Sequence, residues 1–324
     1  MSDLILAIPS KGRLKEQAEE WFANLGLKVE QEGGGRGYQA RLVGLDGVDL
    51  RLMSAGEIAG AVLAGTVHLG VTGQDLYANA AEELRPNGHL TLPLGFGRAD
   101  VVVAVPRSWI DVTTMADLAD VAQRFRVENG SRLRVATKYG RLTGAWFAAH
   151  GVVDHRLVDS AGATEGAPAA GTAELIVDIT TTGQTLVANG LRILSDGLIL
   201  RSQAWLVAGL RALWDEETRA TARALLQIAD ARLKAKALVF IEFEALDPAS
   251  LQSALVTEAG ILDVSISANA MAVLRCNAKD QDAVARLVAP LAKGPVSVHR
   301  ALSLFEQENA AYSALVGALA AAQR

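Results

Sequence analysis

Between Glu174 and Gly190 the chain reads ELIVDITTTGQTLVANG: an apolar strand running into an acid, a turn of threonines around a glycine, then a helical turn. Thr180, Thr181, Thr182, Gly183, Gln184 and Thr185 can aim backbone N–H groups and short hydroxyls at one point, and a helix N-terminus behind them adds positive potential. That is chemistry for holding a phosphate. Gly183 lets the backbone approach without a Cβ, and Asp178, at the strand's carboxyl end, suits the hydroxyls of a sugar beside that phosphate. Ser, Thr or Gly before a helix is ordinarily just a cap, but one cap needs one hydroxyl and this turn offers several in succession. The segment predicts a phosphorylated sugar as ligand.

An anionic ligand needs cations, and a chain of net charge −5 must concentrate them locally. Lys11 and Arg13 stand where the first apolar run gives way to a helix, placed to hold a pyrophosphate. Alone, Lys-Gly-Arg is a solvated turn; Arg51, Arg98, Lys138 and Arg141, read as strand-end or turn residues, strengthen its case. Glu165, the one acid in SAGATEGAP, is either a surface helix residue or a ligand contact among small neighbours. Asp75, in TGQD, either caps the next helix or accepts from a base's exocyclic amine. Tyr139 is a candidate base-stacking platform.

Other chemistries lose their signals. The five histidines, His68, His89, His150, His155 and His299, show no HxH or HExxH spacing, and Cys276 is the single cysteine, so neither a histidine zinc site nor a disulfide is expected. No GxxxxGK[ST], complete GxGxxG or GxSxG occurs. The acidic balance argues against nucleic acid, and no apolar stretch is long enough for a membrane span. The opening MSDLILAIPSKGR lacks a basic segment before its apolar run, which points to a cytoplasmic protein.

The elements that must position these residues follow from periodicity. LILAIP reads as a buried strand, and Leu14, Ala18, Trp21, Phe22 and Leu25 mark one face of the helix after it. GGGRGY, 33–38, reads as a flexible turn, with paired strands in RLVGL and VDLRLM, a helix from Ala55 to Leu63 and a short strand in VHLGVTG. From about residue 100 a βα alternation starts afresh, with a helix near 164–170, and 191–207 holds strands that carry the chain back to the first unit. Beyond 213 a long helix precedes the order βαββαβ, a ferredoxin-like arrangement, and an Ala-rich helix closes the chain. The expected architecture is α/β. It has a first lobe of 1–99 plus 190–212, a second lobe of 100–189, a cleft between them, and a domain over 213–324.

IPSKGRL, HLGVTGQDL, LGFGRADVVVAVP, RVATKYGRLT followed by AAHGV, and above all AELIVDITTTGQTLVANGL stand in the order found in the ATP phosphoribosyltransferase family, which residues 4–210 resemble. The resemblance implies two periplasmic-binding-protein-like lobes with a catalytic cleft. It also implies transfer of the 5-phosphoribosyl group of 5-phosphoribosyl 1-diphosphate (PRPP) to N1 of ATP, the first step of histidine biosynthesis. By position, Lys11, Arg51, Glu165 and Asp178 are implied PRPP and diphosphate contacts, residues 180–185 the phosphate loop, and Arg13, Asp75, Arg98 and Tyr139 contacts of ATP or diphosphate. Where many relatives read Arg-Pro and a polar or basic residue, Leu52, Met53 and Ser54 follow Arg51. The 213–300 segment is similar, by element order, to the regulatory domain of the family's long form. That implies histidine as an allosteric inhibitor and a homo-oligomer, from dimer to hexamer. Mg2+ is the implied cofactor, bridged mainly through the diphosphate.

Two rivals remain at this stage. An inert small-molecule receptor would share the bilobed body without needing the threonine cradle, and a phosphoribosyltransferase acting on free bases would place two adjacent acids before the loop, where here Ile179 follows Asp178. Asp178→Asn and Thr182→Val are expected to weaken PRPP binding far more than they affect folding. Wild-type turnover and affinity in either variant would remove the cradle assignment.

Overall fold

The chain's least polar runs become its central strands. The computed structural model describes residues 3–31, 39–160, 162–255, 258 and 260–323; the glycine-rich turn expected at 33–38 lies outside them. The first elements are β1 (Leu4–Pro9), α1 (Gly12–Asn24), β2 (Lys28–Gln31), β3 (Gln39–Val43), β4 (Val48–Met53), α2 (Ala55–Ala64), β5 (Leu69–Gly73), α3 (Gln74–Ala78) and β6 (Gly88–Pro93). A second series follows: β7 (Ala99–Pro106), α4 (Met115–Asn129), β8 (Leu133–Thr137), α5 (Gly140–Ala149), β9 (His155–Asp159), β10 (Leu175–Thr180), α6 (Gln184–Ala188) and β11 (Leu191–Ser202). Then β12 (Ala204–Gly209) returns to the first sheet, between β5 and β6.

The first sheet has the order β2-β3-β4-β1-β5-β12-β6 and the second β11-β7-β10-β8-β9. β1 pairs in parallel with β4 and β5, so the β1–α1, β4–α2 and β5–α3 turns share one rim. β10 runs parallel to β8 and antiparallel to β7. Only β12 crosses back. The expected return of the chain at 190 is therefore corrected to residue 203: β11 stays in the second sheet, antiparallel to β7, with Leu191 and Leu194 buried there. The helix expected near 164–170 is a single 3-10 turn, Thr164–Gly166, packed on β10.

Local sequence sets the helix ends. Ser54 and Glu57 form a reciprocal capping box at the start of α2, and Gly65, at φ 76°, closes it in the left-handed region. Thr114 and Asp117 do the same for α4, where backbone and hydroxyl donors of Thr113 and Thr114 hold the Asp117 carboxyl down at about 2. The second sheet is apolar on both faces. Val101, Val103, Leu175 and Val177 meet α4 and α5 through Leu118 and Phe147, while Val102, Ala104 and Ile176 meet Leu186 of α6.

The chain divides into two compact units, one made of residues up to 218 with the end of the chain from 315, the other of 219–314 with 24–26. The second unit follows α7 (Glu216–Ala237) with β13 (Leu238–Glu244), α8 (Pro248–Leu255), β14 (Ile261–Ile266), β15 (Met271–Asn277), α9 (Gln281–Val288) and β16 (Ser297–His299). Its antiparallel sheet, β14-β15-β13-β16, has the ferredoxin-like order. Val239, Ile241, Phe243, Leu274 and Cys276 pack beneath Leu251, Val284 and Val288. Helix α10 (Ala310–Ala322) ends the described chain.

Helix α2 sits so close to the first sheet that glycine is required beneath it. A Cβ on Gly209 would lie 2.5 Å from the Val67 carbonyl oxygen and 2.6 Å from that of Val62. Backbone cannot yield as a side chain can. Gly209→Ala is expected to cost roughly 1–3 kcal/mol of stability, read as a lowered Tm, because the insertion overpacks a fixed contact.

Candidate active site

The turn after β10 is built by its own hydroxyls. Thr180 Oγ1 accepts from the Gly183 N–H at 2.9 Å and Thr182 Oγ1 accepts from the Gln184 N–H at 3.4 Å. Gly183 takes φ 74°, and nothing lies within 4 Å of where its Cβ would stand. The space over the glycine is open. Thr181, Thr182, Gln184 and Thr185 are exposed. The helix behind them, α6, has just five residues, so the turn's own amides and hydroxyls, more than a macrodipole, supply the attraction for an anion.

Asp178 is 8 % exposed, accepts from the Ile179 N–H at 2.8 Å, and meets Lys138 Nζ at 3.5 Å. Lys138 follows β8, the parallel neighbour of β10, so two strand ends bring this pair together. The sequence alone shows Lys138 only as one of the strand-end cations. From the first sheet, Arg13 in the opening turn of α1 donates to Thr181 Oγ1 at 3.4 Å, and Thr181 Oγ1 in turn donates to the Arg98 carbonyl at 3.3 Å. The β1–α1 turn and the threonine turn therefore face each other. Glu165 sits half-buried in the 3-10 turn against β10.

Lys11 and Arg51 open elsewhere, on a cleft of about 1010 Å³ along the first sheet that Ser10, Ser54, Glu57 and Thr66 also line. Arg51 is not a strand-end residue as expected. β4 pairs with β1 as far as Met53 opposite Pro9, which leaves Arg51 level with Ala7, two positions short of the rim. Its guanidinium is bound to Asp49, at 2.7 and 3.0 Å. The rim position on β4 falls to Ser54, the α2 cap.

Asp75 and Tyr139 come together, but not as a base-binding surface. The Tyr139 hydroxyl donates to Asp75 Oδ2 at 2.9 Å and the Ser202 hydroxyl to Oδ1 at 2.8 Å, while Ser202 Oγ accepts from the Asp75 N–H. Asp75 is 5 % exposed and Tyr139 2 %, so the ring offers no free face for stacking and the carboxylate neither caps α3 nor faces solvent. Burial first, then the Asp75 charge and hydrogen bond, push the Tyr139 phenol far above its ordinary range, so it stays a donor. Gly73 makes room, since a Cβ there would stand 2.2 Å from Asp75 Oδ1. Beside this network Asn79 Oδ1 accepts from the Arg141 and Leu142 N–H groups, at 3.1 and 3.2 Å, and its amide donates to the Lys138 carbonyl. Helix α5, uncapped by its own Tyr139, is capped from the first lobe. Tyr139→Phe keeps the ring but orphans a buried carboxylate oxygen. It is expected to cost about 1–3 kcal/mol, read in Tm, whereas a mere stacking platform would lose nothing.

Comparison with known proteins identifies the family. The family model described as HisG: ATP phosphoribosyltransferase matches residues 54–230. An ATP phosphoribosyltransferase of Caulobacter vibrioides (strain NA1000 / CB15N) is 48 % identical over 316 residues, covering 98 % of both chains. One from Rhodopseudomonas palustris (strain BisA53) is 58 % identical over 231 residues, 71 % of each. Among solved structures, the ATP phosphoribosyl transferase (HisG:HisZ) complex from Thermotoga maritima matches with TM-score 0.52 at 23 % identity, over 70 % of this chain and 96 % of that one, a likeness of fold. With a family model spanning more than half of the chain and relatives matching across both units, the chain belongs to the ATP phosphoribosyltransferase family.

Proposed function

We propose that the turn from Asp178 to Thr185 seats PRPP for the transfer that defines this family, the joining of a 5-phosphoribosyl group to N1 of ATP with release of pyrophosphate. The loop amides and hydroxyls hold the 5′-phosphate, and Asp178 accepts from the ribose hydroxyls, with Glu165 beside it. Arg13 and Arg98, both tied to Thr181, face the diphosphate, and Lys11 lines the adjoining cleft. The contact between Arg13 and Thr181 carries this reading, because it brings a cation of one rim onto the phosphate turn of the other. Arg51, tied to Asp49 and set back from the rim, supports the cleft wall.

The adenine N1 lone pair forms the new bond to ribose C1 as the C1–oxygen bond to diphosphate breaks. A neutral N1 needs no strong base, so rate comes from aligning two polyanions and meeting charge that grows on the leaving group. Lys138, in contact with Asp178, keeps that carboxylate in place beside the sugar. Mg2+ fits as a companion of the diphosphate. Among the described residues no group of three or more His, Cys, Asp or Glu stands together, and Asp178 is a single carboxylate donor, which suits an ion that keeps water and phosphate as its main ligands. Bound there, it would neutralise diphosphate charge.

Histidine inhibition through the second unit, assembly into a homo-oligomer and a cytoplasmic location complete the proposal; no described helix is long and apolar enough to cross a membrane. Purified protein mixed with ATP, PRPP and Mg2+ is expected to release pyrophosphate, and less of it when histidine is added. No release rejects the reaction. Removal of all residues after 212 is expected to abolish inhibition in a truncation that still turns over, and persisting inhibition would move the effector site elsewhere.

A further inference from the structure

We propose that Arg201 is a further substrate-binding residue of this reaction, its guanidinium taking phosphate oxygens at the face of the second sheet that carries Asp178 and Thr180. The inference rests on the reading above, and three observations carry it.

The first is register. Arg201 stands opposite Asp100 on β7, and Asp100 stands opposite Thr180 on β10. Residues directly opposite in a sheet share a face, so Arg201, Asp100 and Thr180 form one row, with Asp178 two positions back on the same side. β11 and β10 are both antiparallel to β7, so their carboxyl ends lie on one edge. Arg201 is thus at the edge where the threonine turn begins, two strand spacings away, roughly 9.5 Å of backbone.

The second is the irregularity that puts it there. Leu198 stands opposite Val102 but Leu200 opposite Val101, an extra residue in β11 just before the pair Arg201 and Ser202. A bulge of this kind flips the side chains that follow it. With regular pairing, Arg201 would face the Asp75 side and Ser202 the phosphate side. The bulge instead seats the Ser202 hydroxyl under Asp75 and turns Arg201 toward the phosphate turn. One extra residue sets both.

The third is availability. Arg201 is exposed, and among the described residues none of its guanidinium nitrogens is hydrogen-bonded or ion-paired, not even to Asp100 across the strand. By contrast Arg51 and Arg134 hold carboxylates, and Arg192 holds three carbonyls. A free planar fork at the edge of a phosphate turn suits bidentate contact with phosphate oxygens, from PRPP or from the triphosphate of ATP.

The test uses full-length protein carrying Arg201→Gln or Arg201→Lys, with equilibrium binding of PRPP and of ATP measured separately by calorimetry beside Tm and turnover. Arg201→Gln is expected to weaken one of the two substrates about tenfold or more with Tm unchanged, and Arg201→Lys to recover part of the loss as a point charge without the fork. The substrate that weakens is the one whose phosphates Arg201 holds. Unchanged affinity for both overturns the proposal, as does a drop in Tm that accompanies the loss in both variants. A wild-type protein that binds both substrates yet releases no pyrophosphate would instead sink the assigned reaction and leave the Arg201 comparison readable.

Discussion

A buried carboxylate must be satisfied, and the way Asp75 is satisfied organises the first unit. Its oxygens take hydroxyl donors from residues 64 and 127 positions away, on β8–α5 and β11. An ion in that place without both donors would carry an uncompensated desolvation cost. The network therefore holds together three chain segments that share no local sequence. Each of them leads into the candidate site: Lys138 precedes Tyr139, Arg201 precedes Ser202, and α3, which begins at Gln74 beside Asp75, ends at its C-cap, Asn79.

Asn79 extends the same logic to backbone. The first N–H groups of α5 have no partner within the helix, and the first lobe supplies one. The segment carrying Lys138 is fixed at both its side chains and its amides, which in turn fixes the cation that meets Asp178. Rigid supports behind the threonine turn are what positioning catalysis there would require, since small displacements of aligned reactants forfeit much of the advantage.

What could be read without the structure was local. The turn at 178–185 stands out as three threonines and a glycine after an apolar strand, and the βαββαβ order of the second unit follows from alternation and turn residues alone. The pairing of Asp75 with Tyr139 is not legible, because no spacing rule tells that two residues so far apart will bury each other. Arg51 lies two residues short of the strand end, and only pairing with β1 reveals where the rim lies. The bulge in β11 is equally invisible: Leu198 to Leu200 alternates as any strand would, and a single extra residue changed which face Arg201 and Ser202 meet.

Cys276 stands alone in the sequence as a thiol and has no exposed surface in the β15 core of the second unit. Burial, with Asp280 nearby, raises its pKa, so a labelling reagent is denied both access and thiolate. Derivatisation of that sulfur consequently clocks the breathing of one half of the molecule, and leaves the catalytic half silent in the same experiment.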